Sequence, residues 1–253
     1  EGGRVQRLPK NVIDTPSARE IAQSGNAEEA FLTGKRIGEA MRELGLNYDL
    51  APVVDVESVC GNPAIGSRSF GTDAATVARF GAEMARGIQA AGVMACAKHF
   101  PGHGGTNVDT HKSLPTITLS MEELVPFYAA IEAGVKSIMT THIMFPALDK
   151  EYPGTLSHAV LGGLLRGKMR YGGIIITDCL EMGAIASRYG AAEAALLAAK
   201  AGADMPLISH NYNEAARAAE LIGRAIERGE MNMPEHNAAL GRIAGAKEWL
   251  SMQ

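Results

Sequence analysis

Lys98, His99, His103, Asp109 and His111 crowd into fourteen consecutive positions, which hold three of the chain's seven histidines. Phe100, Pro101, Gly102, Gly104 and Gly105 separate them, so the stretch reads as a loop. Asp109 and His111 stand two apart. In a short polar loop the carboxylate can hold one imidazole nitrogen while the other faces a substrate. That arrangement fixes the tautomer and stabilises the imidazolium, which a proton shuttle working near neutral pH requires. His111 is therefore a better acid/base candidate than His99 or His103, although spacing alone leaves the choice open. A second locus is Ile174-Ile175-Ile176-Thr177-Asp178, an apolar run that ends in an acid. Asp178 can either cap a following helix or face a substrate as a nucleophile. Cys179 reads as a packing thiol, and Glu181, a turn further on, could point into solvent. A metal site built from His99, His103, Asp109 and His111 is the competing reading. It is disfavoured because its ligands crowd one loop rather than coming from several strands. No metal and no cofactor are expected.

The elements that must position these groups follow a regular alternation. Short apolar runs occur at 46–54, 92–99, 137–142, 173–178 and 203–209, each bounded by Gly or Pro and suited to a strand buried on both faces. Helical periodicity covers 27–44, 73–91, 121–133, 158–170, 191–201 and 214–228. Ser120 with Glu123 has capping-box spacing, and Asp73, Ser157 and Asn213 are N-cap candidates. Gly45, Gly92, Gly134 and Gly202 mark helix ends. Such a βαβα register fits either an open doubly wound sheet or a closed barrel. Asp55, Lys98 with His99, His142 and Asp178 fall at four strand exits, which favours a barrel with its chemistry on one face. No Gly-x-Gly-x-x-Gly follows a strand, which argues against dinucleotide binding. The expected fold class is α/β, a TIM-type (β/α)8 barrel. One domain is expected over 1–253, lacking its first strands in the chain as it stands, since five runs cannot close eight.

Composition bounds the partners. The chain has 253 residues, 46% hydrophobic and 21% charged, with a formal net charge of −4. Lys and Arg are scattered, so no nucleic-acid or anionic-membrane footprint is present, and no run approaches the roughly 18 apolar residues of a membrane span. A small neutral substrate is expected, with no nucleic-acid or membrane partner. Cys60, Cys96 and Cys179 are an odd count without pairing pattern and read as reduced thiols, which suggests a cytoplasmic protein, or a secreted one if a leader has been lost. His142 reads as an interior residue, His158 as a first-turn helical residue, His210 and His236 as ordinary loop residues, and Trp249 as a pin for the last helix.

KHFPGHG at 98–104, DTH at 109–111 and ITDCLEMGAI at 176–185 resemble the signatures of glycoside hydrolase family 3, in its β-N-acetylglucosaminidase branch. EGGRVQRL at 1–8, APVVDV at 51–56 and GSRSFG at 66–71 resemble the same family in the same order, so the similarity covers nearly the whole chain. The resemblance implies that Asp178 attacks the anomeric carbon and that His111, oriented by Asp109, protonates the leaving oxygen and later deprotonates water. It further implies that Arg68, Lys98 and His99 hydrogen-bond the sugar hydroxyls, that Arg7 lies near the same ring, and that His103 shapes the loop. A family aspartate two positions ahead of the EGGRV glutamate falls before Glu1, so an open barrel and an incomplete sugar pocket are expected of the chain as it stands. The activity implied is removal of terminal β-linked N-acetylglucosamine from peptidoglycan- or chitin-derived fragments. Phosphorolysis by the same residues, a metal-dependent amide hydrolase barrel and an inactive sugar-binding fragment are the alternatives.

Overall fold

The computed structural model describes residues 1–59, 61–106 and 114–253. It divides into two compact units. The first comprises Glu1–Asn107, Leu119–Met139 and Trp249–Gln253, and the second Val108–Thr118 and Thr140–Glu248.

The first unit contains helices α1 (Ala18–Gln23), α2 (Ala27–Glu43) and α3 (Ala74–Ala90), strand β1 (Cys96–Phe100), helix α4 (Val125–Glu132) and most of strand β2 (Ser137–Thr140). Local chemistry starts each helix. Ser17 and Glu20 form a capping box ahead of α1, Asn26 Oδ1 accepts from the Glu28 N–H, and Asp73 Oδ2 accepts from the Thr76 N–H at 2.8 Å. The expected capping box of Ser120 and Glu123 is present, and it opens a 3₁₀ turn that leads into α4. The buried face of α2 (Ala30, Ile37, Met41) packs on α3, which buries Val77, Met84 and Ile88. Glycines bring the two backbones together. A Cβ on Gly87 would lie 2.0 Å from the Phe31 carbonyl oxygen, and one on Gly34 2.4 Å from that of Met84. β1 is buried throughout, and Phe100 meets Phe127 of α4 edge to face at 5.1 Å.

The run at 46–54 was expected as a strand, but it forms two isolated parallel bridges, Tyr48 with Met94 and Val53 with Lys98. Pro52 lies between them and has no N–H to donate, so the ladder is interrupted there.

The second unit contains strand β3 (Ile174–Ile176) and helices α5 (Gly183–Tyr189), α6 (Ala191–Ala201), α7 (Tyr212–Glu227) and most of α8 (Met233–Ser251). The helix expected at 158–170 is a π-helical segment, Ala159–Lys168. The run at 203–209 makes one parallel bridge, Met205 with Ile176. Pro206 cannot extend it, and the Leu207 N–H turns to the Thr177 hydroxyl at 2.8 Å instead. Gly202, at φ 108°, ends α6 in the left-handed region that suits glycine. Asn211 rather than Asn213 caps α7, accepting from the N–H groups of Asn213 and Glu214. His236 lies inside α8, not in a loop. Asp204 is buried and accepts from the Ile175 N–H, Arg166 and Arg242, which fastens α8 and the π-helical segment to β3.

The α/β class with parallel pairing is observed. Three strands form among the described residues where five strand runs were expected, and they do not display the closure of a (β/α)8 barrel. Among the described residues no helix is long and apolar enough to cross a membrane. Because the α2–α3 contact leaves no room for a methyl group at position 87, Gly87→Ala should cost about 1–3 kcal/mol. Gly223→Ala in α7, with open space around it, should be neutral or stabilise by at most about 1 kcal/mol. Chemical denaturation of the two variants checks the contrast.

Candidate active site

In the first unit, four of the expected site residues are joined by two acids that had no place in the expected site, Arg68 and Lys98 by Glu1 and His99 and His103 by Asp55. Glu1 takes Arg68 in a two-pronged ion pair, Nε to Oε2 at 2.7 Å and Nη2 to Oε1 at 2.8 Å, and Lys98 Nζ reaches Oε1 at 2.6 Å. All three side chains are largely buried. Burial opposes the Glu1 charge, but Lys98 and Arg68 outweigh it and hold the carboxyl well below its ordinary value. Two cations on one carboxylate leave the group net positive. Their donors are thereby held in fixed directions, as fork-type Arg–carboxylate contacts do. Arg68 also donates to the Ala64 carbonyl at 2.7 Å, and Arg4 donates to the carbonyls of Pro63, Ala64 and Ile65, so the loop ahead of Arg68 is tied down. Arg7 is exposed and stands outside this ion-pair group.

His99 and His103 are brought together by Asp55, whose side chain is completely buried. Its carboxylate accepts from the His99 N–H, from the His103 N–H at 2.8 Å, and pairs with His99 Nδ1 at 2.7 Å. Burial raises the cost of this charge, yet His99 and the backbone donors keep the pKa below the ordinary carboxylate value. The two rings lie 5.6 Å apart, edge to face. Asn62 donates to the His103 carbonyl at 2.9 Å. A Cβ on Gly104 would fall 1.5 Å from the Val56 carbonyl oxygen, so only glycine allows the loop to lie on that backbone. Asp109 and His111 lie outside the described residues.

Asp178 belongs to the second unit, where it leaves β3 half-buried with Oδ1 accepting the Cys179 N–H at 2.7 Å. The peptide that follows is fixed from behind. His142 Nε2 meets the Cys179 carbonyl at 2.9 Å, and His142 Nδ1 meets the Thr155 hydroxyl at 2.8 Å, which also touches Thr140 and the Thr141 carbonyl. His142 is thus an interior residue, as expected, and one that orients the segment carrying Asp178. Glu181 does not face solvent freely. It accepts from the N–H groups of Ser209, His210 and Asn211 at 2.8, 2.8 and 2.9 Å. Partial burial opposes its charge, but these donors lower its pKa to about 2.

Glu1, Asp55, Asn62 and His142 had no site role in the sequence reading. Asp55 carried a visible signal, as an acid at a strand exit. Glu1 and Asn62 act through contacts tens of residues away that no local pattern reveals.

Carboxylates and imidazoles thus stand at strand exits, where α/β folds gather their polar groups. Residues 1–246 match the model of the glycosyl hydrolase family 3 N-terminal domain. The chain is 36% identical over 258 residues to beta-hexosaminidase LpqI of Mycobacterium tuberculosis, a match covering 98% of this chain and 66% of that protein. It is 31% identical over 274 residues to beta-hexosaminidase A of Pseudoalteromonas piscicida, covering 98% and 46%. Among solved structures, a family 3 β-N-acetylglucosaminidase from Paenibacillus sp. str. FPU-7 superposes with a TM-score of 0.96 at 43% identity, covering 99% of this chain and 49% of that one. The chain belongs to glycoside hydrolase family 3, and it spans less than two thirds of the length of these relatives.

Glu123 lies beneath the His103 loop, its side chain against Gly102, and desolvation with the nearby Asp55 charge raises its pKa to about 6. A carboxyl whose folded pKa exceeds its ordinary 4.5 binds more protons folded than unfolded between those values. Stability is therefore lost as pH rises from 4.5 to about 6. Asp55 and Glu1, with lowered values, act with the opposite sign and at lower pH. Glu123→Gln should flatten the decline across that window, read from denaturation midpoints at pH 4.5, 5.5 and 6.5.

Proposed function

We propose that this chain is the catalytic domain of a retaining β-N-acetylglucosaminidase built as a TIM-type (β/α)8 barrel. It acts on terminal, non-reducing β-linked N-acetylglucosamine in peptidoglycan- or chitin-derived fragments. The observation that carries the reading is the buried Glu1–Arg68–Lys98 group. It holds two of the residues assigned to the sugar hydroxyls in a rigid, charged array, in a chain whose relatives bear hexosaminidase names.

Asp178 acts as nucleophile. Its carboxylate attacks the anomeric carbon while the glycosidic C–O bond breaks, and His111, held by Asp109, gives its proton to the departing oxygen. A covalent glycosyl ester on Asp178 results. The neutral imidazole then takes a proton from water, whose oxygen displaces Asp178 from the same carbon, so configuration is retained after two displacements. A histidine in this role adds no second negative charge beside Asp178, and so avoids the repulsion that raises one pKa in a carboxylate pair. Arg68, Lys98 and His99 donate to the sugar hydroxyls, and His103 shapes the loop. Arg7, which is exposed, borders the ring. No cofactor takes part, and the partner is a small carbohydrate handled in the cytoplasm.

With the full-length protein, a chromogenic β-N-acetylglucosaminide should be turned over, and Asp178→Ala should reduce release to background. His111→Ala should lower kcat by about 10²–10⁴. Mass spectrometry of enzyme stalled with a fluorinated N-acetylglucosaminyl donor should locate the sugar on the peptide carrying Asp178. Undiminished turnover by Asp178→Ala would reject the assignment. A sugar 1-phosphate among the products in phosphate buffer would move the reaction to phosphorolysis.

A further inference from the structure

Cys179, Glu181 and His210 lie together at the start of α5 and α7, and the scheme above uses none of them. Their ligand-type atoms, Sγ, a carboxylate oxygen and an imidazole nitrogen, all fall within 4.8 Å of one another. Cys179 Sγ is 3.5 Å from Glu181 Oε2, and His210 Nδ1 is 3.3 Å from the same oxygen. Tetrahedral zinc with bonds of about 2.3 Å to sulfur and about 2.0–2.1 Å to nitrogen or oxygen sets its ligands about 3.3–3.5 Å apart. Two of the three separations therefore already have the values that a bound ion imposes.

We infer that Cys179, Glu181 and His210 form a binding site for a thiophilic divalent cation of the zinc class. The donor set is one soft thiolate, one imidazole and one carboxylate, a combination that selects zinc over magnesium or calcium. Glu181 is fixed by three backbone N–H groups, so one ligand is rigid before any metal arrives. Ser209 and His210 share Oε2 while Asn211 takes Oε1, so an ion held at Oε2 takes the place of one amide hydrogen bond, and the unused lone-pair position lies on Oε1. His210 is 82% exposed and can swing inward, closing the Cys179–His210 gap at little cost. Cys179 is half-buried, with Sγ 2.8 Å from the Ser209 hydroxyl. Its thiol thus faces polar groups at the surface rather than the core, against the packing role expected of it. The fourth position falls to water or to the Ser209 hydroxyl. His210, expected to be an ordinary loop residue, becomes a ligand.

The site stands on its own geometry. Its effect on catalysis rests on the Asp178 assignment, because a dication bound one residue away lowers the electron-donating power of that carboxylate.

Cobalt(II) is the direct probe for the full chain, because a cobalt–thiolate bond gives a near-ultraviolet charge-transfer band. One equivalent should produce that band. The band should vanish in Cys179→Ser, and zinc affinity, read by competition with a chromogenic chelator, should fall at least about tenfold in His210→Ala. Both substitutions leave the Glu181 backbone contacts in place. Absence of the band, or a band and affinity unchanged by the two substitutions, would overturn the site. None of these readings uses glycoside turnover, so the hydrolase proposal and the metal proposal fail separately.

Discussion

A carboxylate that cannot reach water must be answered by donors, and Asp55 imposes that demand on the first unit. Its side chain is completely buried. An isolated charge in such a place would cost several kcal/mol or would simply take up a proton. Instead the His99 ring, the His99 N–H of β1 and the His103 N–H of the loop that follows converge on it. The exit of β1 thereby acquires a fixed direction, and the His99 and His103 rings acquire fixed places. Gly104 and Asn62 then become necessities rather than options: one allows the loop to lie against Val56, the other holds the His103 carbonyl. The same logic operates at Glu1, where two cations answer one buried acid. In both places the fold accepts a desolvation cost and obtains directed polar groups in return.

How much of this was legible in the sequence depended on range. Ser120 with Glu123 and Asp73 with Thr76 act within one helical turn, so their residue types suffice to locate them. Asn211 was missed in favour of Asn213 because the apolar period of α7 begins weakly, at an exposed Tyr212. The helices α1 and α5 span 6 and 7 residues, too few to show a period. Strand ends were misread at Pro52 and Pro206, where a missing N–H breaks a ladder that the apolar pattern continues through. Of the site, the types and order of Lys98, His99, His103 and Asp178 were visible. Their partners were not, since Arg68 meets Glu1 across 67 positions and His99 meets Asp55 across 44.

The second unit orients its acid by a different device. A relay of His142, Thr155 and Thr140 fixes the Cys179 carbonyl, and the acid leaves β3 on a peptide that cannot rotate freely. The Cys179 carbonyl can only accept, so His142 Nε2 must carry a hydrogen, and the contact fixes which ring nitrogen donates towards the segment that bears Asp178. Asp204, clasped by Arg166 and Arg242, supplies the charged counterpart at the opposite end of β3.

The three consecutive amides at Ser209, His210 and Asn211 form a cradle of the kind that elsewhere seizes a phosphate. Here the chain supplies its own occupant, since Glu181 already sits in it and Asn211 answers the next two amides. The amino end of α7 is consequently neutralised from within, and no free anion finds a seat there. A dissolved phosphate approaching this part of the molecule would meet a resident negative charge instead of an open helix terminus.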